Sequence, residues 1–178
     1  MASKKSVEIT EITTVELKNY REAGGDETVC FEASLYINGN RVAVIGNSGT
    51  GGTHHYHWIV DRKHEDLFHN HVQKLIKEGV FNDLYEEYLK DGIFTREKHS
   101  IEKLIGVDEY INYLIEELSI KKKCKKHLAF TLKSDEYGSY RTANQPYSAA
   151  SKRHVLRTYG DQIKEILNER YVTPVQID

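Results

Sequence analysis

Two alternating apolar runs meet at Asn38-Gly39-Asn40, and that juncture constrains the fold more than any other stretch of the chain. Before it, Val29, Phe31, Ala33, Leu35 and Ile37 alternate with Cys30, Glu32, Ser34 and Tyr36; after it, residues 41–45 make a return run. Alternation puts each set on one face of a strand, and Asn-Gly accepts the positive φ of a tight two-residue turn. The pattern predicts a β-hairpin. Upstream, Val7, Ile9, Val15 and Leu17 alternate with polar residues ahead of a loop at 21–26 (REAGGD). Downstream, a glycine-rich connection at 46–52 leads to another alternating stretch at 54–60. A four-stranded antiparallel meander is expected.

The apolar period then becomes helical. Phe68, Val72, Leu75 and Ile76 form one stripe of a helix that Asp61 can cap and Gly79 can end. Leu84, Tyr85, Tyr88 and Leu89 mark a shorter helix ending near Gly92, and Ser100 opens a turn closed by Gly106. Ile111, Leu114, Ile115 and Leu118 predict a helix over residues 108–119. Leu128, Phe130 and Leu132 then alternate as a strand that residues 140–143 can pair, and residues 148–169 read as helix broken near Tyr159-Gly160. The expectation is a single α+β domain over residues 1–178: β-rich at 7–60, helical at 61–120, with a β-hairpin and helix at 127–170.

A chain of 178 residues can bury a core without a disulfide or structural metal. Cys30 and Cys124 are its two cysteines, too few for a disulfide framework or a CxxC zinc site. No apolar run nears the ~18–20 residues of a membrane span, and the opening MASKKS leads into no signal-type core. The expected location is cytoplasmic, with no membrane partner and no cofactor.

Net charge is -2, but its distribution is uneven. Residues 119–159 carry ten Lys or Arg against two acids, a balance of +8, whereas residues 1–118 carry -8. The basic segment can favour an anionic ligand, or its lysines at 121–126 can simply complement a helix dipole.

Three features carry candidate chemistry. The first is the glycine loop, in which Gly46 is followed by Asn47, Ser48, Gly49, Thr50, Gly51, Gly52 and Thr53. Its glycines can aim backbone N–H groups at an anion and its hydroxyls can add donors. No Gly-Lys-Ser/Thr and no following helix mark a nucleotide-binding loop of known type. A glycine-rich hairpin connection with a bulge accounts for the loop structurally; because four glycines exceed the needs of a turn, the close approach of a ligand or of another backbone is the alternative.

The second feature is the histidines, nine in all, six of them between His54 and His71. A strand places His54, Tyr56, Trp58 and Val60 on one face and His55, His57 and Ile59 on the other. His55 and His57 can thus act as an acid–base pair or bind a metal, with Asp61 or His64 nearest in sequence as a third ligand. The same imidazoles can equally be surface or packing groups. The third is the segment with Tyr137, Tyr140, Arg141, Asn144, Gln145 and Tyr147, followed by Lys152, Arg153, His154 and Arg157. Rings that stack on bases and arginines that clamp phosphate suit a nucleotide; a polar hairpin plus a helix with one wet face is the alternative.

The stretch FEASLYINGNRVAVIGNSGTGGTHHYH, residues 31–57, resembles a pattern in small uncharacterised proteins of phages and other mobile elements. In those, a hairpin leads to an SNxGxGG-type loop and a polar, aromatic strand. The resemblance brings no catalytic residues and implies a small intracellular accessory protein, one acting against host defence.

These features point first to a binding protein for a phosphorylated small molecule, a nucleotide or cyclic-nucleotide signal. Residues 47–53 would cradle phosphate, with His55, His57, Tyr140, Arg141, Arg153 and Arg157 completing the site. A phosphodiesterase or nuclease-like enzyme using His55 and His57 is the second reading, and a protein-binding inhibitor the third. Nucleic-acid binding ranks below these, because the acidic remainder opposes a long polyanion. A homo-oligomer is compatible with all of them.

Overall fold

The computed structural model describes residues 8–90 and 92–171, so the expectation for Val7 lies outside the described residues. The fold is α+β, in two compact units, Met1–Leu114 and Ile115–Asp178. Strands β1 (Val15–Ala23), β2 (Cys30–Ile37), β3 (Asn40–Asn47) and β4 (His55–Trp58) form an antiparallel sheet in chain order. Helices α1 (Arg62–Lys77), α2 (Asn82–Lys90), the short α3 (Ile101–Leu104) and α4 (Val107–Cys124) follow. Strands β5 (Leu128–Leu132) and β6 (Arg141–Ala143), helix α5 (Ala149–Tyr159), strand β7 (Ile163–Ile166) and the short α6 (Asn168–Tyr171) complete the chain.

The predicted hairpin is present, with Asn38 at φ 48° and Gly39 at φ 76°. Asn38 also holds the segment before β1. Its Oδ1 accepts from the Thr13 and Thr14 amides at 2.9 and 3.1 Å, and its Nδ2 donates to the Glu11 carbonyl at 2.6 Å. The first strand differs from expectation: β1 begins at Val15 and runs to Ala23, so Arg21 and Glu22 lie within it and the loop starts at Gly24. One extra residue between Lys18 and Arg21, with Asn19 at φ 56°, makes a bulge. Glu16, Lys18, Arg21 and Glu22 are all exposed along this outer strand.

In the first unit, Leu17, Ala33, Leu35, Ile37 and Ile45 are buried, as are Phe68, Val72 and Ile76 of α1. A chain of rings joins the elements: Trp58 of β4 meets Phe68 at 5.9 Å, Phe68 meets Tyr110 of α4 at 5.8 Å, and Tyr110 meets Phe81 at 6.2 Å. Phe68 and Phe81 have 0% exposure, so truncating either to Ala should cost about 3–5 kcal/mol. Helix α4 starts at Val107, where Glu109 reaches back to the Gly106 N–H at 2.7 Å.

Helix α4 also runs five residues past the expected Ser119 end, taking in Lys121, Lys122 and Lys123. Straight-chain lysines lose little rotamer freedom in a helix and suit its C-terminus, so the run extends the helix. In the second unit the sheet order is β6-β5-β7, all antiparallel. Strand β7 corrects the reading of residues 148–169 as broken helix. Gly160 at φ 51° ends α5, and Ile163 and Ile166 then face Leu132 and Phe130 across the ladder. Leu128, Phe130, Leu132, Val155 and Ile166 form the core there. Asn168 is wholly buried: Oδ1 accepts from the Ala129 N–H at 2.7 Å, and Nδ2 donates to the Cys124 and His127 carbonyls at 2.9 Å each. No helix among the described residues is long and apolar enough to cross a membrane.

Candidate functional site

Strand β3 ends on Asn47, which is 4% exposed and organises the loop after it. Its Oδ1 accepts from the Gly49 N–H at 2.8 Å and the Thr28 hydroxyl at 3.0 Å. Its Nδ2 donates to the Gly52 carbonyl at 3.2 Å and lies 3.2 Å from His54 Nδ1. Because the Gly52 carbonyl can only accept, that end of the amide is the nitrogen, and His54 Nδ1 is an acceptor. His54 Nε2 then carries the hydrogen, which it directs to Asn112 Oδ1 at 2.9 Å.

A meander sends its first and third connections to the same end of the sheet, and here they touch. The Gly49 carbonyl accepts from the Glu27 and Thr28 amides at 3.0 and 3.3 Å, and the Gly51 N–H reaches the Thr28 hydroxyl at 3.4 Å. A Cβ on Gly25 would lie 1.9 Å from the Thr28 oxygen and 2.7 Å from Gly49 Cα. The close approach weighed for this loop is made by the backbone of the β1–β2 connection. Its Gly49 and Gly51 amides are engaged inside the protein, and a Cβ on Gly51 would come within 2.4 Å of Glu27 Oε2. Ser48 and Thr50 are exposed and pair with each other at 3.0 Å; Gly52 and Thr53 are exposed as well. The open depression beside them, about 550 Å³, is lined by residues 22–29 and carries the carboxylates of Glu22, Asp26 and Glu27. That surrounding field disfavours an anion at this end of the sheet.

The loop delivers the chain into β4. Asp108, in the first turn of α4, accepts from the His54 N–H at 2.8 Å and from the Tyr56 hydroxyl at 2.5 Å. Burial, then the Asp108 bond and charge, hold the Tyr56 phenol far above its ordinary value of 10.0. With Tyr56 and Trp58 turned inward, His55 and His57 are both exposed on the opposite face. His55 lies across Gly46, its cross-strand partner: a Cβ there would be 2.6 Å from His55 Nε2. Among the described residues no group of three His, Cys, Asp or Glu is placed to hold a metal ion. His64, weighed as a third ligand, is 2% exposed, with Nδ1 3.3 Å from the Asp61 carbonyl. Asp61 is the N-cap of α1.

The other candidates belong to the second unit. Tyr140 precedes β6 and packs against Cys124, Ala129 and Leu167. Arg141 is held by Asp135 through Nε at 3.1 Å and Nη2 at 2.8 Å, and this keeps the Asp135 carboxyl below the usual carboxylate range. Tyr147 and Lys152 both meet Glu169. Arg153 and Arg157 lie one turn apart on α5, both exposed and with no ion pair or side-chain hydrogen bond among the described residues. Leu156 between them is 41% exposed. Sequence reasoning singled out the arginines but missed Asp108, Asn112 and Thr28. The meander itself was a usable signal for Thr28, since it sends both glycine-rich connections to one end. Against protein-family models, curated proteins and solved structures, the chain finds no match.

Proposed function

We propose that the protein binds a phosphorylated small molecule of the nucleotide type, and that Arg153 and Arg157 receive its phosphate. The observation that carries this is the state of the basic side chains of the second unit. Arg141 and Lys152 have carboxylate partners, while Arg153 and Arg157 stand one turn apart with none among the described residues. Like charges at i,i+4 destabilise a helix by about 0.2–0.5 kcal/mol, and a phosphate between them reverses the sign. Guanidinium forks match phosphate oxygens with parallel N–H donors. The resemblance of residues 31–57 to mobile-element proteins adds a role: sequestering a host nucleotide signal.

The test is a thermal-shift screen of the full chain against mono-, tri- and cyclic nucleotides, followed by chromatography of each hit. Ligand at 100 times its Kd should stabilise by about 2.7 kcal/mol, which is a shift of several degrees. The expected result is a stabilising nucleotide recovered intact, with the shift lost in R153Q/R157Q. No shift with any nucleotide, or an undiminished shift in that double variant, would overturn the reading. A cleaved nucleotide would replace it with catalysis, and His55 and His57 would become the acid–base candidates.

A further inference from the structure

We propose that the C-terminal turn of α4 and the residues just after it form a docking surface for the phosphate backbone of a nucleic acid. Successive helical residues are about 100° apart, so Lys121, Lys122 and Lys123 fan over about 200° of the helix and Cys124 falls outside that arc. Cys124 is 3% exposed and packs with Ala129 and Leu167, whereas all three lysines are exposed. Lys125 and Lys126 follow in the turn, also exposed, with the Lys126 N–H on the Lys123 carbonyl at 2.9 Å. Five ammonium groups therefore occupy six positions.

The helix dipole explains only part of this. A helix C-terminus is worth about half an elementary negative charge, enough for one or two cations rather than five. The carboxylates of this unit do not make up the difference. Glu117, Asp135, Glu165 and Glu169 are engaged by Arg170, Arg141 and Lys152. No ion pair or side-chain hydrogen bond among the described residues reaches Lys121, Lys122, Lys123, Lys125 or Lys126. The second unit has 12 basic residues against 8 acidic, a net of +4.

A linear polyanion is the complement of such a surface. Lysines are hydrated point charges with no preferred approach plane, which suits phosphates met without sequence selection. An anionic membrane fits less well. The neighbours of the run, Cys124 and Leu128, are buried, so no apolar side chain within it is offered for insertion. This surface is made of residues of α4 and the turn after it, not of the α5 arginines, and does not rest on the nucleotide reading.

The experiment is fluorescence anisotropy of the full chain with a labelled 20-nucleotide single strand and the matching duplex, from 50 to 200 mM salt. The expected result is binding at 50 mM salt that K122Q/K123Q/K126Q weakens at least tenfold. On the single strand, three lost phosphate contacts should also flatten the salt slope by about 2. The first-unit control K63Q/K98Q should keep both affinity and slope. The proposal is overturned by no binding to either nucleic acid at 50 mM salt, or by an unchanged slope in the lysine variant. Equal losses in the control, or capture by phosphatidylserine vesicles without nucleic-acid binding, overturn it as well. Glutamine is a good helix former at these exposed positions, and circular dichroism confirms that the variant is folded.

Discussion

Replacing Asn168 with alanine should come close to unfolding the second unit. The side chain has 0% exposure and makes three hydrogen bonds, joining the end of α4, the turn at His127 and the start of β5. Truncation leaves the Ala129 N–H buried without a partner, since Ala129 is itself 0% exposed, at a cost of about 1–3 kcal/mol. Losing the amide from the Cys124 and His127 carbonyls adds about 1 kcal/mol each. The total, about 3–5 kcal/mol, compares with about 3–10 kcal/mol for a unit of this length at 0.05–0.15 kcal/mol per residue. Urea unfolding followed by far-UV circular dichroism, with exchange of the Ala129 amide, measures it. Trp58, the one tryptophan, reports the first unit by fluorescence and separates the two transitions. N168D sharpens the test. Its carboxylate can accept from Ala129 but cannot donate, whereas the protonated acid can donate to one carbonyl. Its folded pKa is then raised, so stability should be recovered as pH falls toward about 4 and lost as pH rises. A loss under 1 kcal/mol in N168A, with the Ala129 amide still protected, would refute the reasoning.

N47A should destabilise the first unit by about 2–4 kcal/mol, mostly through the buried Gly49 N–H, and should speed exchange of that amide by at least tenfold; unchanged exchange would contradict this. G25A forces a Cβ to 1.9 Å from the Thr28 oxygen and should lower the melting temperature by several degrees, whereas G24A, with open space around it, should not. Alkaline stability is fixed by phenols whose folded pKa is raised. Burial and Glu22 push Tyr20 up to about 12, and Tyr56, Tyr110 and Tyr171 go higher. Their contribution is full below the unfolded value of 10.0 and is lost as pH rises through and beyond 12. Absorbance at 295 nm should therefore show a fraction of the 12 tyrosines ionising only as ellipticity collapses, and a single step near pH 10 in the folded protein would contradict it.

What was legible in the chain was local. Asn38-Gly39, the Phe68 stripe and the alternation at Leu128 each carry their structure in their own periodicity, and each formed as expected. Strand β7 was not legible, because Ile163 and Ile166 with two charges between them fit a helical face as well as a four-residue strand. Only pairing with β5, which ends 31 residues earlier, decides it. The candidate site divides in the same way. The outward direction of His55 and His57 follows from strand alternation, but the Asp108 anchor lies 54 residues from His54 and leaves no mark on the loop's composition. Whether a glycine faces a ligand or another backbone is likewise a tertiary fact, and for Gly49 the answer is Gly25.

The outer strand β1 bears on how the protein behaves in a crowd. Among the described residues this nine-residue strand has no partner on its outer side, and such an edge is a template onto which a neighbouring chain can add, repeated addition giving fibres. Here the bulge at Asn19 breaks the ladder near its middle, and one acid and one base stand on each side of the break, Glu16 and Lys18 before it and Arg21 and Glu22 after it. An incoming strand would find no uninterrupted register longer than four residues. Light scattering of concentrated protein should stay flat, and the variant to watch is one that deletes Asn19. Straightening this strand would turn a guarded border into an open one, exchanging solubility for self-association.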